Sequence, residues 1–344
     1  MNISKKKINI KELAKMLDLS PSSVSRGLNG YKNISEVTRK KILKLAKKYN
    51  YTADPIAKRL ASQKADTIAF IVTINPEAPD YVLLEFIAGI SLGIKDTSTE
   101  FIIKIALNEK EELSYYQKLI TRKIADKFIF YRTKQNDRRI ELLQKNNINF
   151  VSWGRSKMFN NYAWIDMDND KSIKILMNRL IKFGHTKIAL LNVHQSFNYG
   201  LQRKNSYEKI ISENNLVKNI DYYQESLRGS ILEGIEFTRF LLELPSPPTA
   251  IICSLDKFFI GSLQECKNQK LSIGKDISIV GYNDHDNYLS SLNITYISHP
   301  LRNMGQEAVL ILKNIERGEK ISIQSKLINP ILHEGKSDGV CTKF

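Results

Sequence analysis

The sequence contains few cysteines and no long apolar run, and both absences exclude classes of protein. Cysteine occurs 3 times in 344 residues, and Cys253, Cys266 and Cys341 are far apart and outside any CxxC pair. A disulfide framework or a cysteine zinc site needs closer pairing, so we expect buried free thiols. No stretch approaches the roughly 20 apolar residues of a membrane span, and the charged N-terminus lacks the apolar segment of a signal peptide. We therefore expect a cytoplasmic protein with no membrane partner.

Common enzyme signatures are missing as well. The sequence has 5 histidines, and none stands in an HExxH motif. It also has no GxGxxG or GxxxxGK[ST] loop of the kinds that bind dinucleotides or nucleoside triphosphates. We therefore expect no enzymatic activity, no metal ion and no cofactor.

Charge is distributed unevenly along the chain. Lys and Arg number 52 against 36 Asp and Glu, a formal charge of +16. Residues 1–65 hold 16 basic and 4 acidic side chains, a net charge of +12, and the remaining residues hold 36 basic and 32 acidic ones, a net charge of +4. The basic segment lacks the Trp/Phe/Leu face of an interfacial helix, so it favours nucleic acid over a membrane surface. The sequence therefore predicts a small nucleic-acid-binding module joined to a larger, nearly balanced one.

An N-terminal run predicts a helix-turn-helix. Residues 10–30, IKELAKMLDLSPSSVSRGLNG, contain two apolar helical patterns separated by a short break. Ser20 can cap the second helix, and Pro21 can occupy its first position, where a missing N–H costs nothing. A third helix is predicted from Ser35, and its apolar stripe would cover the other two. That stripe consists of Val37, Ile42 and Leu45 or Ala46.

The second helix presents small and polar residues that could reach DNA. Small side chains let a helix approach base edges in the major groove, and Arg26 can bind a guanine or a phosphate. An alternative is that the serines only cap the helix and that Arg26 is a solvated charge. The candidate DNA contacts of this helix are Pro21, Ser22, Ser23, Ser25, Arg26 and Asn29.

A short helix-like segment follows at residues 50–62. Asp54 can cap it and Pro55 can start it, but about eight residues form a helix too short to persist alone. If it orders against a partner copy on DNA, Leu60 could open a base step in the minor groove. The alternative is an ordinary linker. The candidate contacts of this segment are Lys58, Leu60 and Ala61, with Arg59 near phosphates.

These N-terminal segments resemble the DNA-binding headpiece of the lactose/galactose repressor family of bacterial transcription regulators. Three motifs fall at the family's spacing: V-S-R-x-L-N from Val24 to Asn29, T-R at Thr38 and Arg39, and A-x-x-L from Ala57 to Leu60. The resemblance implies a homodimer whose two headpieces read a near-palindromic operator in double-stranded DNA. It also implies that the paired hinge segments open the central minor groove.

The remainder of the chain alternates between strand-like and helix-like segments. Apolar runs of five to seven residues are typical of strands buried on both faces, so the sheets should be parallel and doubly wound. About ten strands should divide into two sheets, with a ligand site at their carboxyl ends. The strand candidates are 67–73, 101–107, 127–131, 149–152, 187–192, 249–253 and 277–282. The helix candidates are 83–97, 109–122, 136–146, 169–183, 203–214, 231–243, 256–269 and 301–317.

This larger part resembles the effector-binding core of the same family, which is similar to periplasmic sugar-binding proteins. The matching motifs are the G-H-x-x-I-A turn at 184–189, P-T-A-I at 248–251, the strand at 276–284 and M-G-x-x-A at 304–308. The resemblance implies a headpiece at 1–50, a hinge at 51–65 and a two-lobed core at 66–344. The chain should cross between lobes near 163, 293 and 325. Lobe 1 would contain about 66–163 and 294–325, and lobe 2 about 164–293 and 326–340.

The resemblance also implies candidate effector-binding residues. Arg203 stands where the family has an arginine that binds ligand oxygens, and Asp256 and Asn283 could bind sugar hydroxyls. Tyr81 is a further candidate, because an aromatic ring can stack on a sugar or a base. The alternatives are that Arg203 pairs with a core acid and that Asp256 caps a helix. Leu255 departs from the family, which commonly has an asparagine there.

Together these observations predict a DNA-binding transcriptional regulator, a repressor controlled by a small-molecule effector, most simply a sugar or sugar derivative. Two alternatives stay open: the same architecture responding to a nucleoside or purine, and, more remotely, a cytosolic sugar-binding protein without a regulatory role.

Overall fold

The computed structural model describes residues 8–28, 33–49, 51, 65–73, 82–283, 288–321 and 324–342. Contacts divide the chain into two compact units, residues 1–65 and 66–344. The first unit includes the expected headpiece and hinge, and we keep the name headpiece for its three-helix part; we call the second unit the core.

The headpiece contains three described helices, and local side chains fix where they begin. They are α1 (Ile10–Leu17), α2 (Pro21–Leu28) and α3 (Glu36–Lys48). Asn9 and Glu12 form a reciprocal capping box at the start of α1. Ser20 Oγ accepts a hydrogen bond from Ser23 N at 3.1 Å, so the predicted cap of α2 is confirmed.

The three helices bury one small apolar cluster. It consists of Leu13, Ala14, Val24, Ile42 and Ala46, with partly buried side chains around it.

The prediction that Val37 belongs to the apolar stripe of α3 is wrong, because its side chain is 67% exposed. Val37 precedes Ile42 by five residues, which is about 140° from it around the helix. Ile34, before the helix, packs against the cluster instead.

The core contains two six-stranded sheets. Among the described residues the first sheet has the order β11-β5-β4-β3-β1-β2, and all of its neighbouring strands are parallel. Its strands are β1 (Thr67–Thr73), β2 (Glu100–Ala106), β3 (Lys127–Phe130), β4 (Asn149–Trp153), β5 (Ala163–Met167) and β11 (Ser325–Ile328).

The second sheet has the order β12-β10-β9-β8-β6-β7, in which only the β10–β12 pair is antiparallel among the described strands. Its strands are β6 (Ile188–Val193), β7 (Tyr223–Ser226), β8 (Ala250–Cys253), β9 (Ser278–Tyr282), β10 (Thr295–Ser298) and β12 (Ile331–His333).

Helices cover both sheets, as expected of a doubly wound fold. The first lobe consists of the first sheet with α4 (Val82–Ile94), α5 (Glu109–Thr121), α6 (Arg138–Lys145) and α11 (Leu301–Glu316). The second lobe consists of the second sheet with α7 (Asn169–Lys182), α8 (Asn198–Glu213), α9 (Ile231–Leu242) and α10 (Asp256–Asn268). Short 3₁₀ helices occupy Ile220–Tyr222 and Tyr288–Leu292. The predicted fold class, an α-helical headpiece with a core of two doubly wound parallel-sheet lobes, is confirmed.

The chain changes lobes a few residues later than expected. Strand β5, which ends at Met167, still belongs to the first sheet, and β10, at Thr295–Ser298, belongs to the second. Strand β11 also pairs in the first sheet, up to Ile328. The strands that precede the crossings therefore end about three to five residues after the expected positions 163, 293 and 325, since each crossing follows a complete paired strand.

Helices α4 and α11 of the first lobe approach each other closely at two glycines. A Cβ atom on Gly89 would overlap the carbonyl oxygen of Arg302, and one on Gly305 would overlap that of Phe86. The glycine of the M-G-x-x-A motif is therefore explained by backbone packing, with Met304 buried beside it.

Candidate functional site

The exposed face of α2 carries the candidate DNA contacts that the structure describes. Pro21, Ser22 and Arg26 are exposed, whereas Ser23 and Ser25 are half-buried. The hydroxyl oxygens of Ser22 and Ser23 lie 2.8 and 2.9 Å from Ser20 Oγ, so both serines also belong to the cap of the helix. The candidates Asn29, Lys58, Leu60 and Ala61 lie outside the described residues.

Helix α3 adds a second group of positive charges to the headpiece. Its buried residues Ile42 and Ala46 face the cluster, while its basic side chains are exposed to solvent. Such a charged surface supplies the sequence-independent part of binding to phosphates. These exposed basic residues are Arg39, Lys40, Lys41, Lys44, Lys47 and Lys48.

A large cleft lies between the two lobes of the core, and we call it the interlobe cleft. It encloses about 1090 Å³ of empty space, including space open to solvent. Most of its walls come from residues at or just beyond the carboxyl ends of strands, where doubly wound folds bind ligands. The first lobe contributes Val82, Tyr131, Arg132, Thr133, Trp153, Gly154, Asp166 and Met167. The second lobe contributes Asn169, Val193, Phe197, Asn198, Tyr199, Arg203, Leu227, Arg228, Gly229, Ser254, Leu255, Asp256, Lys257 and Tyr282.

Arg203 is held rigidly in this cleft. Its side chain is 4% exposed, its Nε donates to Asn169 Oδ1 at 2.9 Å, and its Nη1 donates to Ser254 O at 2.9 Å. The guanidinium carbon lies 4.0 Å from the ring centroid of Tyr282 and 5.2 Å from that of Tyr199. Its Nη2 has no hydrogen-bond partner among the described residues, and no described carboxylate pairs with this arginine. The arrangement leaves one donor nitrogen available to a ligand.

Asn198 and Ser254, which line the cleft from the second lobe, each have a buried polar atom without a partner in the described part of the chain. Asn198 Nδ2 and Ser254 Oγ make no hydrogen bond, although the two residues are only 6% and 1% exposed. A buried polar atom without a partner costs about 1–3 kcal/mol. Because both residues line the interlobe cleft, a bound ligand could satisfy them.

Asp166 is the buried acid on the opposite wall. It is 2% exposed, and its Oδ2 lies 3.4 Å from Nε of Arg155 without a hydrogen bond of good geometry. Burial raises the pKa of the carboxyl group to about 6, although Arg155 and a hydrogen bond from Met167 N act in the opposite direction. The carboxylate can accept hydrogen bonds from ligand hydroxyl groups.

The other predicted effector residues are Asp256, Asn283 and Tyr81, and among the described ones only Asp256 lines the cleft. Asp256 lines the interlobe cleft and begins α10, where Leu255 rather than Asp256 is the N-cap residue. Asn283 is buried, with 2% of its surface exposed, and is not among the described residues that line the cleft. Tyr81 lies outside the described residues.

Backbone contacts join the two lobes at the cleft. Asn198 N donates to Thr133 O at 2.9 Å, and Lys134 and Phe197 form an isolated antiparallel bridge. The chain therefore adopts an arrangement in which the lobes are in contact beside the interlobe cleft.

Four residues of the cleft were not predicted from the sequence: Arg132, Asp166, Asn198 and Ser254. Arg132 and Ser254 follow within two residues of strands β3 and β8, and Asp166 is the penultimate residue of β5. The rule that ligands bind at carboxyl ends of parallel strands could have found them. Asn198 gave no such signal, because the start of α8 was predicted five residues too late.

Within the described ranges, no cluster of three His, Cys, Asp or Glu side chains could hold a metal ion. No helix in the described part of the chain combines the length and apolar character needed to cross a membrane.

Comparisons with known proteins agree with this division into headpiece and core. Residues 9–54 match the family "Bacterial regulatory proteins, lacI family", and residues 177–337 match the family "Periplasmic binding protein-like domain". The HTH-type transcriptional regulator AglR of Rhizobium meliloti (strain 1021) is 29% identical over 333 residues, which cover 95% of this chain and 89% of that protein.

Solved structures show the same fold. A regulatory protein of the LacI family from Chloroflexus aggregans matches with a TM-score of 0.73 and 24% identity, over 80% of this chain and 99% of that chain. The lac repressor dimer bound to operator and the anti-inducer ONPF matches with a TM-score of 0.79 and 20% identity, over 97% of this chain and all of that chain. The chain therefore combines a LacI-family helix-turn-helix domain with a periplasmic-binding-protein-like domain, and the relative that spans nearly its whole length is a transcriptional regulator.

Proposed function

We propose that this protein is a transcriptional repressor whose affinity for an operator is controlled by a small effector, a sugar or sugar derivative, bound in the interlobe cleft. The observation that carries the proposal is the position of Arg203. This buried cation is held by Asn169 and Ser254, and its Nη2 has no hydrogen-bond partner among the described residues. A protein side chain fixed in this way is suited to bind ligand oxygens.

DNA recognition is assigned to the exposed face of α2 and the basic surface of α3. Arg26→Gln should weaken binding to an operator selected from random duplexes by about tenfold, because it removes a contact to a base or a phosphate. The matched control is Lys15→Gln, since Lys15 is an exposed charge on α1. Equal operator affinity for both variants would contradict the role of Arg26.

Effector control requires that the ligand bind one arrangement of the lobes better than the other. The contacts between Thr133 and Asn198, and between Lys134 and Phe197, exist only while the lobes touch beside the cleft. A ligand that binds both walls would shift the population toward this arrangement. The change would reach the two headpieces of a dimer and alter operator affinity.

Exposed apolar side chains of the first lobe support the homodimer. They lie on α4, β2 and α11, and burial against a second copy would remove them from water. They are Leu84, Leu92, Ile103, Ile105 and Leu310. Analytical ultracentrifugation should give a dimer, and Ile105→Lys should shift the population toward monomer.

The experiment that tests effector control compares Arg203→Lys with Lys209→Gln, an exposed position on the same helix. A thermal-shift screen with sugars, sugar acids, sugar phosphates and nucleosides first finds a stabilising ligand. Arg203→Lys should retain operator binding and lose the response to that ligand, whereas Lys209→Gln should respond normally. A normal response in Arg203→Lys would refute the assignment.

A nucleoside is the second candidate, and the aromatic side chains of the cleft favour it. Trp153, Phe197 and Tyr199 line the interlobe cleft and could stack on a base. Stabilisation by nucleosides but by no sugar derivative would select this candidate.

A further inference from the structure

We propose that the effector is a carbohydrate derivative carrying an anionic group, a carboxylate or a phosphate, and that this group binds on the second-lobe wall of the interlobe cleft near Arg203 and Asn198. This inference rests on the proposed function and narrows its ligand class.

A buried cation in the cleft favours an anion. Arg203 is 4% exposed, and no described carboxylate pairs with it. A buried charge is costly unless it is paired, so an anionic ligand group would stabilise this arginine, whereas a neutral sugar would supply no opposite charge.

The atoms still able to bond on the second-lobe wall include two that can only donate. Arg203 Nη2 and Asn198 Nδ2 have no partner among the described residues, and neither nitrogen can accept a hydrogen bond. Ser254 Oγ, which can donate, completes the group. Donors that lack acceptors are satisfied best by carboxylate or phosphate oxygens, which carry several lone pairs each.

The N-terminus of helix α8 adds to the positive potential at this wall. Helix α8 begins at Asn198, which lines the cleft, and it has no side-chain hydrogen bond at its N-cap. The N-terminus of a helix carries a partial positive charge and favours anions. The unpartnered Nδ2 of Asn198, on a residue that is 6% exposed, marks the start of α8 as a ligand contact.

The rest of the ligand should carry hydroxyl groups. Asp166 on the first-lobe wall and Asp256 at the start of α10 provide carboxylate oxygens, which accept hydrogen bonds from hydroxyls. Aromatic rings at Trp153, Phe197 and Tyr199 provide flat apolar surface for a sugar ring. A sugar acid or a sugar phosphate combines these features with a negative charge.

The test uses the full-length protein and pairs of ligands that differ in charge. D-galactose is compared with D-galacturonate, D-glucose with D-glucuronate, and D-glucose with D-glucose 6-phosphate, by thermal shift and isothermal titration calorimetry. At least one anionic member should raise the Tm while its neutral partner at the same concentration does not. The uronates and the phosphate ester distinguish a carboxylate from a phosphate site. The affinity of the anionic ligand should also fall as the NaCl concentration rises from 50 to 500 mM.

Two variants on α10 locate the charge. Lys257→Gln, at the cleft, should weaken binding of the anionic ligand about tenfold. Lys267→Gln, an exposed position in the last turn of the same helix, should bind it like wild type. Equal effects of the two substitutions would overturn the placement of the anion.

The inference is overturned if a neutral sugar stabilises the protein as much as its anionic partner, or if no anionic sugar in the panel raises the Tm. A neutral sugar that binds and changes operator affinity would overturn the inference and leave the proposed function standing. Operator affinity that is unaffected by every stabilising ligand would instead refute the proposed effector control.

Discussion

The contact between α4 and α11 leads to a prediction whose sign depends on tertiary structure. An alanine in the middle of a helix is about 1 kcal/mol more favourable than a glycine, so helix propensity alone predicts that Gly89→Ala stabilises the core. The structure predicts the opposite. The added methyl group would overlap the carbonyl oxygen of Arg302 and lie 2.9 Å from the Cα atom of Gly305. Both are backbone atoms, which cannot rotate away as a side chain could.

The magnitude follows from the two opposing contributions. Forcing an extra methyl group into a packed core costs typically about 1–3 kcal/mol, and displacement of a whole helix puts Gly89→Ala in the upper part of this range. After the gain of about 1 kcal/mol in helix propensity, a net loss of about 1–2 kcal/mol in the free energy of unfolding remains. For domains of this size that loss corresponds to a decrease of about 2–8 °C in Tm.

Differential scanning calorimetry of the full-length protein measures the core transition. Ser91→Ala is the matched control, because Ser91 is exposed on the same helix and its hydroxyl donates only to Ile87 O, at 3.1 Å. It should leave the Tm unchanged or raise it slightly. A Tm for Gly89→Ala at or above that of wild type would refute the reasoning, since it would show that the helices separate without cost.

Three further predictions test other parts of the protein. Arg139 is buried, with its Nη2 2.8 Å from Asp137 and its Nη1 2.9 Å from Glu112. In urea unfolding, Arg139→Met should therefore lower the free energy of unfolding of the core by about 3–5 kcal/mol. A loss below about 1 kcal/mol would contradict the importance of the buried ion pairs. Burial raises the pKa of Asp166 to about 6, from 3.8 in the unfolded chain, so the folded state prefers the protonated carboxyl group. The stabilisation that this preference gives is fully present below pH 4 and is lost as the pH rises through about 6. The Tm of Asp166→Asn should therefore rise relative to wild type across this interval, by the equivalent of up to about 3 kcal/mol, and parallel pH profiles would exclude the shift. Ile42→Ala should cost about 2–4 kcal/mol in the small headpiece cluster and abolish operator binding without changing the core transition; retained binding at 25 °C would contradict it.

The headpiece could be predicted well because its signals are local. The cap at Ser20, the start at Pro21 and the buried positions Leu13 and Val24 depend on neighbours within a few residues. The exposed Val37 shows what local signals cannot predict. Which side of a helix faces its neighbours is set by packing and not by composition.

Strands of the core divide into those that could be predicted and those that could not. The apolar central strands, such as β1 and β6, are buried along nearly all of their length and were predicted within about one residue. Strands β7, β11 and β12 have only three or four residues, too few to show a clear apolar pattern. Pairing with a neighbour that is distant in sequence makes them strands.

The sequence by itself determined the two-part organisation, the three helices of the headpiece and the doubly wound class of the core. These features follow from charge distribution, periodicity, capping residues and motifs, all of which act over short distances along the chain. Only the tertiary structure decided which side chains share the interlobe cleft. Asp166, Asn198 and Ser254 line the same cleft because residues of both lobes meet there, and the atoms they leave without partners depend on that packing. The charge of the ligand that we infer is therefore a property of the assembled cleft.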